Sequence, residues 1–250
     1  MDNLLKNTQW SGKKVAFLGD SITDKVHVGT EKNYWQFLNE WLGLEPLVYG
    51  INGHRMLGVL GQAQKLHDEH GDDVDAIFIF AGTNDYNGGV PMGEWWSYTM
   101  EEVNSHGRMM VKKRRHFLMD ENTFRGHINL AMSYIKETFP LQQVVLMTPI
   151  HRGFATFGGT NVQPEESFPN DLGLYVDEYV QAIKDAGNIW AVPVIDLNSV
   201  SGLYPLTPSH APFFHLADTD LLHPAAEGHR RMALAMAYQM LAMPATFRMV

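Results

Sequence analysis

Short apolar runs alternate with amphipathic segments along almost the whole chain, and this alternation is what most restricts its fold. Five runs are apolar at every position, which is typical of strands that are covered on both faces. The predicted strands are residues 15–18, 47–49, 76–81, 144–147 and 192–195. Because helical segments separate them, we predict a parallel sheet with helices on both faces, a three-layer α/β/α sandwich.

Five segments show the apolar spacing of a helix with one buried face. The predicted helices are residues 31–42, 55–70, 125–138, 174–186 and 224–241. Gly71 and Gly187 stand where a glycine often ends a helix, and Pro224 stands in the favoured first turn. The chain shows no internal repeat and no linker-like break, so we expect residues 1–250 to form a single domain.

Two stretches interrupt the alternation. Residues of about 86–124 are too many for a strand-to-helix loop, and within them segments 100–104 and 109–118 flank Ser105-His106-Gly107. This pattern predicts a projecting β-hairpin. It holds five of the 19 basic residues, so it is either a solvated hairpin, a contact between subunits in a homo-oligomer, or an anion-recognising flap. Residues 151–172 are rich in Gly, Pro and Asn and predict a loop over the sheet.

Charge and cysteine content exclude several functions. With 19 Lys and Arg against 28 Asp and Glu, the net charge is −9, and such a chain repels nucleic acid. The absence of cysteine excludes disulfides, thiolate catalysis and cysteine-bound metals. We see no signal peptide and no apolar stretch long enough to span a membrane, and we therefore expect a cytoplasmic protein.

Polar clusters follow three of the predicted strands and precede the last helix. They are Gly19-Asp20-Ser21-Ile22-Thr23, Gly50-Ile51-Asn52-Gly53-His54-Arg55, Gly82-Thr83-Asn84-Asp85 and Asp220-Leu221-Leu222-His223-Pro224. Ligands of open parallel sheets bind beyond the carboxyl ends of the strands, so these clusters are expected to share one rim.

Ser21 is a candidate nucleophile, because its hydroxyl would stand at a glycine-assisted turn above the sheet edge. A serine needs a base, and histidine, with an ordinary pKa of about 6.5, is the natural one. His223 is that candidate. Asp220, three residues earlier, could orient its ring from the same face of a helical turn, with Asp218 as the rival. Taken singly, Ser21 and Asp220 could instead be ordinary capping residues.

Gly53 and Asn84 are candidate donors to the oxyanion of an ester-cleavage intermediate. A glycine lets a substrate oxygen approach its backbone N–H, and an asparagine amide donates without bringing in charge. Together with the N–H of Ser21 they would form a three-donor oxyanion hole.

The four clusters, in this order and at these spacings, resemble the four sequence blocks of the GDSL-type, or SGNH, hydrolase family. The resemblance covers residues of about 13–241. It implies a flavodoxin-like fold with a sheet of about five strands, and ester hydrolysis without a metal or cofactor. It also implies Ser21 as nucleophile, Gly53 and Asn84 as oxyanion donors, and His223 as base oriented by Asp220.

Ile22 in place of leucine, the run around Gly53 and the hairpin insertion depart from the family pattern. These departures bear on which substrate the protein accepts. The candidate substrate contacts are Asp20, His54, Arg55, His151 and Arg152. His54 and Arg55 suggest an anionic or sugar-like substrate. Trp95, Trp96 and Tyr98 could stack on a sugar ring or an acyl chain, although such clusters more often belong to a core or an interface.

We therefore expect a serine ester hydrolase that releases a short acyl group, such as acetyl, from a small molecule or carbohydrate. Its activity should rise with pH through about 6–7. One alternative is a catalytically idle ligand-binding protein on the same fold. Another, weaker one is a metal hydrolase that uses a loop-based ligand set. That set would be His210, His215, Asp218 and His223.

Overall fold

A computed structural model describes residues 7–249, in which strands and helices alternate. The strands are β1 (Lys14–Gly19), β2 (Glu45–Val48), β3 (Ala76–Phe80), β4 (Trp96–Ser105), β5 (Arg108–Phe117), β6 (Gln143–Met147), β7 (Ala155–Thr156), β8 (Val162–Gln163), β9 (Val194–Ile195), β10 (Phe214–Leu216) and β11 (Asp220–Pro224). The helices are α1 (Tyr34–Leu42), α2 (Met56–His70), α3 (Thr83–Asn87), α4 (Phe124–Thr138), α5 (Val176–Trp190), α6 (Leu197–Val200) and α7 (Ala226–Met240), with a 3-10 helix at Pro208–Phe213.

The central sheet has five parallel strands in the order β2-β1-β3-β6-β9. The predicted fold class is therefore confirmed, and the order is that of flavodoxin-like sheets. In such a sheet the strand order reverses direction between β1 and β3, and the crevice beyond their carboxyl ends is the usual ligand site. The polar clusters after β1, β2 and β3 surround this crevice.

Alternate side chains of each strand enter cores on opposite faces of the sheet. Phe17 and Phe78 pack on the face covered by α1 and α7, whereas Leu18 and Ile79 pack on the face covered by α2, α4 and α5. Because both faces of the sheet are buried, apolar residues do not alternate with polar ones along these strands. This explains why the strands were recognisable as continuous apolar runs.

The predicted hairpin is present and longer than expected. Strands β4 and β5 pair from Trp96 opposite Phe117 to Ser105 opposite Arg108. The base of the hairpin is fixed to the body, because the ring of Phe117 lies between those of Trp96 and Trp190, with centroid distances of 4.5 and 4.0 Å. The stacked rings of Trp96, Phe117 and Trp190 thus anchor the hairpin. Trp96 packs on Phe117 and has Arg115 over its ring (4.2 Å), so the prediction that it stacks on a sugar is wrong.

A second, antiparallel sheet lies over the rim in the order β10-β11-β7-β8. Two of its strands, β7 and β8, lie in residues 151–172, which we predicted to be a loop. Asp220 of β11 pairs with Ala155 of β7. The small sheet therefore places the segment of Asp220 and His223 against the long loop.

Two predicted helix boundaries are wrong. Pro224 ends β11, and α7 begins two residues later at Ala226. Gly187 lies inside α5, which continues to Trp190; a Cβ at Gly187 would overlap the Val194 side chain, so close packing explains this glycine. Within residues 7–249, no helix has both the length and the apolar character that crossing a membrane requires.

Candidate active site

Ser21 stands in the turn that follows β1, and the end of that strand is held by an unusual pair of bonds. The Gly19 N–H donates to Gln62 Oε1 (2.7 Å), and Gln62 Nε2 donates to the Gly19 carbonyl (2.8 Å). A Cβ at Gly19 would overlap the Phe80 carbonyl, so only glycine fits. Backbone bonds from Thr23 and Asp24 to the Asp20 carbonyl then close the turn that carries Ser21.

Sequence reasoning missed Gln62, although the sequence contained a signal. Gln62 falls at the same helical spacing as Val59, Ala63 and Leu66, which form the buried face of α2. A polar side chain on an apolar face must find a partner, and Gln62 finds it in the backbone of β1.

Ser21, His223 and Asp220 form one chain of hydrogen bonds. Ser21 Oγ lies 2.9 Å from His223 Nε2, and His223 Nδ1 lies 2.9 Å from Asp220 Oδ2. All three residues are 4% exposed. Such a chain lets the imidazole take the serine proton while the carboxylate fixes the ring.

Asp220, rather than its rival Asp218, is the residue that contacts His223. The two are brought together by β11 and its turn and not by the helical turn that we expected. Asp220 Oδ1 accepts the backbone N–H groups of Leu222 (3.1 Å) and His223 (3.0 Å), and Oδ2 remains for the ring.

The protonation state of Asp220 follows from these contacts. Burial acts to raise the pKa of this carboxyl, but the hydrogen bonds and charge of His223 and the Leu222 N–H outweigh it, and the pKa is lowered. The ionised carboxylate therefore accepts the Nδ1 proton of His223. Nε2 is then left with its lone pair toward Ser21, as a base requires.

Asp20 does not have the position that we expected of a substrate contact. It is 1% exposed, and its Oδ1 accepts the Ile22 N–H (3.0 Å), which shapes the turn next to Ser21. Burial raises the pKa of Asp20 to about 7, against the opposing effects of the Ile22 N–H and of His223. The Asp20 side chain therefore stabilises the turn that carries Ser21 and is not accessible to a substrate.

The segments that carry the candidate oxyanion donors are tied to one another. The Ile51 N–H donates to the Gly19 carbonyl (3.1 Å), and Asn84 Nδ2 donates to the His54 carbonyl (3.0 Å). Gly53, between Ile51 and His54, has a φ of +78° and is exposed.

The N–H groups of Ser21 and Gly53 have no protein acceptor among residues 7–249. Asn84 Nδ2 has a second N–H beyond the one that it gives to the His54 carbonyl. The turn after β1, the loop after β2 and the helix α3 after β3 thus each contribute one free donor to the same rim, where they could bind an oxyanion.

Asp85 is a further residue whose role the sequence did not reveal. Its Oδ2 accepts the Met56 N–H (2.8 Å) at the start of α2, and its Oδ1 lies 3.4 Å from His127 Nδ1. It is fully buried, and burial raises its pKa despite these bonds. Asp85 therefore ties the helix that carries Asn84 to the loop that carries Gly53.

Arg152 contradicts our expectation of a substrate contact, because it is 0% exposed. Its Nη1 donates to the Thr83 carbonyl (3.2 Å) and hydroxyl (3.0 Å), and its Nη2 donates to Gln163 Oε1 (2.7 Å). In the described part of the chain its guanidinium pairs with no carboxylate. Burial lowers its pKa to about 10, so it remains a cation that fastens α3 to β8.

His151 is half-buried and held by protein groups. Its Nδ1 lies 2.5 Å from Glu166 Oε1, and its ring meets that of Tyr204 edge-on at 5.0 Å. Glu166 also accepts the Arg152 backbone N–H (2.8 Å). The pair His151-Arg152 is therefore part of the framework beside the site and not an exposed surface pair.

His54 and Arg55 remain the candidates for substrate contact. They border an open cleft of about 530 Å³ that begins at Gly53. The cleft is lined on its other side by residues of the α3 end and the α4 start, among them Gly88, Glu121, Asn122 and His127. Arg55 and Glu121 are both exposed, so cationic and anionic groups face the same cleft.

The alternative metal site does not form. Among residues 7–249 no group of three or more His, Asp or Glu side chains is arranged to hold an ion. His223 and Asp220, which such a site would need, bond to each other and to Ser21.

The fold and the rim define a class of hydrolase with a flavodoxin-like sheet, in which serine, histidine and aspartate meet at the carboxyl edge of the parallel strands. A model of the GDSL-like lipase/acylhydrolase family matches residues 17–231. The chain belongs to this family and is a carboxylic ester hydrolase. No curated protein sequence matches it.

Solved structures share the fold over nearly the whole chain. A protein from Lactobacillus plantarum is 24% identical, with a TM-score of 0.71 and coverage of 93% of this chain and 98% of its own. A possible lipase from Chitinophaga pinensis is 22% identical (TM-score 0.65, coverage 92% and 98%). An acetylxylan esterase from Geobacillus stearothermophilus is 18% identical (TM-score 0.52, coverage 92% and 94%).

Proposed function

We propose that the protein hydrolyses esters of short acyl groups through an acyl-Ser21 intermediate, with His223 as the base and Asp220 as its orienting carboxylate. The observation that carries the proposal is the contact of 2.9 Å between Ser21 Oγ and His223 Nε2. This contact is supported by the ionised Asp220 on the other ring nitrogen. A serine hydroxyl without such a base would be a poor nucleophile.

The reaction proceeds in two steps, acylation of Ser21 and hydrolysis of the acyl-serine. Ser21 Oγ forms a bond to the ester carbonyl carbon while its proton passes to His223 Nε2. The bond from that carbon to the alcohol oxygen then breaks, and His223 protonates the leaving alcohol. Water, deprotonated by His223, attacks the acyl-serine carbonyl; the carboxylic acid leaves and Ser21 regains its proton.

In both steps the carbonyl oxygen becomes negatively charged. We propose that the N–H groups of Ser21 and Gly53 and the Asn84 amide stabilise it. Each donor in such a hole lowers the barrier by roughly 2.7–4 kcal/mol. Gly53 suits this role because its open, positive-φ conformation lets a substrate oxygen reach the backbone.

We further propose that the alcohol part of the substrate is a carbohydrate and that the acyl group is acetyl. The cleft beside Gly53 supports this, because Arg55, Glu121 and Asn122 offer both donors and acceptors to hydroxyl groups. The similarity of fold to an acetylxylan esterase agrees with the same substrate class. His54 and Arg55 would contact the sugar.

Two measurements test the proposal. The protein should be labelled by a fluorophosphonate probe and should hydrolyse p-nitrophenyl acetate, and Ser21→Ala should lose both properties. The matched control is Ser11→Ala, an exposed serine that precedes β1. An intact protein that neither reacts with the probe nor turns over any ester would instead be a ligand-binding protein on this fold.

The substrate class needs its own comparison. Acetylated xylan oligosaccharides and p-nitrophenyl esters of increasing acyl length should show the highest kcat/KM for acetyl groups on sugars. A preference for long acyl chains on simple alcohols would refute the carbohydrate assignment and leave the serine mechanism intact.

We also propose that the chain is one catalytic domain. Both cores share the five-stranded sheet, so they should unfold together. Calorimetry should give one transition; two separate transitions would contradict this.

A further inference from the structure

The β4–β5 hairpin has two chemically different faces. Residues opposite one another in an antiparallel pair lie on the same face. On one face Glu101 bonds Arg114 (2.8 Å) and His116 (2.9 Å), and Lys112 bonds Ser105 (2.9 Å). We call this the polar face. All of its charged side chains except Arg108 are bonded within the hairpin.

The opposite side, which we call the apolar face, carries the apolar side chains Tyr98, Met100, Met109 and Val111 together with the polar or charged Glu102, Asn104, Lys113 and Arg115. Met100 and Met109 are 66% and 64% exposed. Lys113 and Arg115 lie over the rings of Tyr98 (4.1 Å) and Trp96 (4.2 Å). Neither cation has a carboxylate partner among the described residues. Exposed apolar surface with unpaired cations is typical of a docking site.

The hairpin also needs support from outside itself. Eight of the ten residues of β5 are exposed, and a two-stranded hairpin in water is at best marginally stable. Its base is fixed by Phe117 and Trp190. A partner on the apolar face would stabilise the rest.

Charge indicates what that partner is. Residues 96–117 contain five basic and two acidic side chains, whereas the rest of the chain contains 14 basic and 26 acidic ones. The cationic hairpin of residues 96–117, which we call the arm, therefore projects from a strongly acidic body, which is the rest of the chain. Opposite charges steer association and fix its register, so the body of a second copy is electrostatically suited to receive the arm.

The area that the hairpins could bury agrees with a dimer in which each copy docks its hairpin on the other. Two ten-residue strands present a face of roughly 340 Å². One arm on one body would bury roughly 700 Å² in total, which is too little for a stable dimer, while two exchanged arms would bury roughly 1,400 Å², a standard interface size. Edge-to-edge pairing of two β5 strands is disfavoured, because it would place the Lys112–Arg115 run beside its own copy.

We propose that the protein is a twofold homodimer in which the apolar face of each hairpin docks on the acidic body of the other copy. Such reciprocal contacts close the symmetry and do not propagate into filaments. The contact combines burial of the methionines with charge attraction, so it should weaken, without vanishing, as the salt concentration rises.

Sedimentation equilibrium of the full chain tests this proposal. The wild type should be a dimer at micromolar concentration. Met100→Glu/Met109→Glu should shift it to monomer, with at least a tenfold increase in the dimer Kd. The matched control is Ser97→Glu/Met110→Glu, which adds the same charge to the polar face at two exposed residues that, like Met100 and Met109, do not pair with each other. The control should remain dimeric.

Circular dichroism must show that all variants retain the fold. A wild-type monomer at every concentration, or equal dissociation of both double variants, would overturn the proposal. A monomer that binds phosphatidylglycerol vesicles through Met100 and Met109 would also overturn it, and would assign the arm to an anionic membrane surface. None of these three results would affect the proposed role of Ser21.

Discussion

The side-chain amide of Gln62 bonds both backbone groups of Gly19, at 2.7 and 2.8 Å, and thereby fixes the strand end from which Ser21 is presented. All four atoms are buried. Gln62 adds hydrogen bonds at the carboxyl end of β1, where Gly19 lies opposite Phe80 of β3, and its Nε2 also lies 3.2 Å from His54 Nδ1. One side chain thus links the nucleophile turn to the loop of Gly53.

Gln62→Leu should destabilise the protein. It would leave the Gly19 N–H buried without its partner, at about 1–3 kcal/mol, whereas the Gly19 carbonyl would keep the bond from the Ile51 N–H. We expect a loss of about 1–3 kcal/mol in the free energy of unfolding, measured with urea. Gln64→Leu is the matched control, because Gln64 is exposed on the same helix, and it should change stability by less than about 0.5 kcal/mol. Equal effects of the two changes would contradict the role of Gln62.

Asp220→Asn should lower kcat by about 10³–10⁴-fold, as loss of the equivalent carboxylate does in serine proteases. An amide cannot carry the charge that stabilises the imidazolium of His223, and it favours the wrong ring tautomer. KM should change little. Asp218→Asn, two residues away and exposed, should retain wild-type kcat. If both variants kept wild-type rates on p-nitrophenyl acetate, Asp220 would not be the orienting group.

The sequence was informative wherever one physical requirement dominated a segment. The five parallel strands were predictable because burial on both faces leaves only apolar residues. Ser21, Gly53, Asn84, Asp220 and His223 were identified as candidates because they follow or precede those elements in a known block order. Their distances and partners came only with the structure.

Other features carried too little local signal. Strands β7 and β8 have two residues each, which is too short for any periodicity, and they exist because they pair with β11 and each other. Arg152 was predicted to contact the substrate, and therefore to be accessible, because buried charges are rare. Its burial depends on Thr83 and Gln163, which are distant in sequence and meet it only in the folded chain.

Arg152→Met should reduce kcat more than it changes KM. The variant would release α3, and with it Asn84, from β8. A displacement of about 1 Å in a catalytic group can cost about 100-fold, so we expect kcat to fall by about 10–100-fold. Gln163→Leu, which removes only one of the three contacts, should have a smaller effect. A raised KM at unchanged kcat would show direct substrate binding by Arg152.

Asp20→Asn should stabilise the protein increasingly as the pH rises. The pKa of Asp20 is about 7 in the folded state against 3.8 in the unfolded state. Between these values the folded state binds more protons, so stability is lost as the pH increases from about 4 to about 7.

Asparagine can still accept the Ile22 N–H, but it does not ionise. Its stabilising effect should therefore be about 2–3 kcal/mol larger at pH 8 than at pH 5. Urea unfolding of wild type and variant at both pH values measures this difference. The exposed Asp218→Asn should show no such dependence. A constant difference between wild type and Asp20→Asn would mean that Asp20 is ionised throughout this range, in spite of its burial.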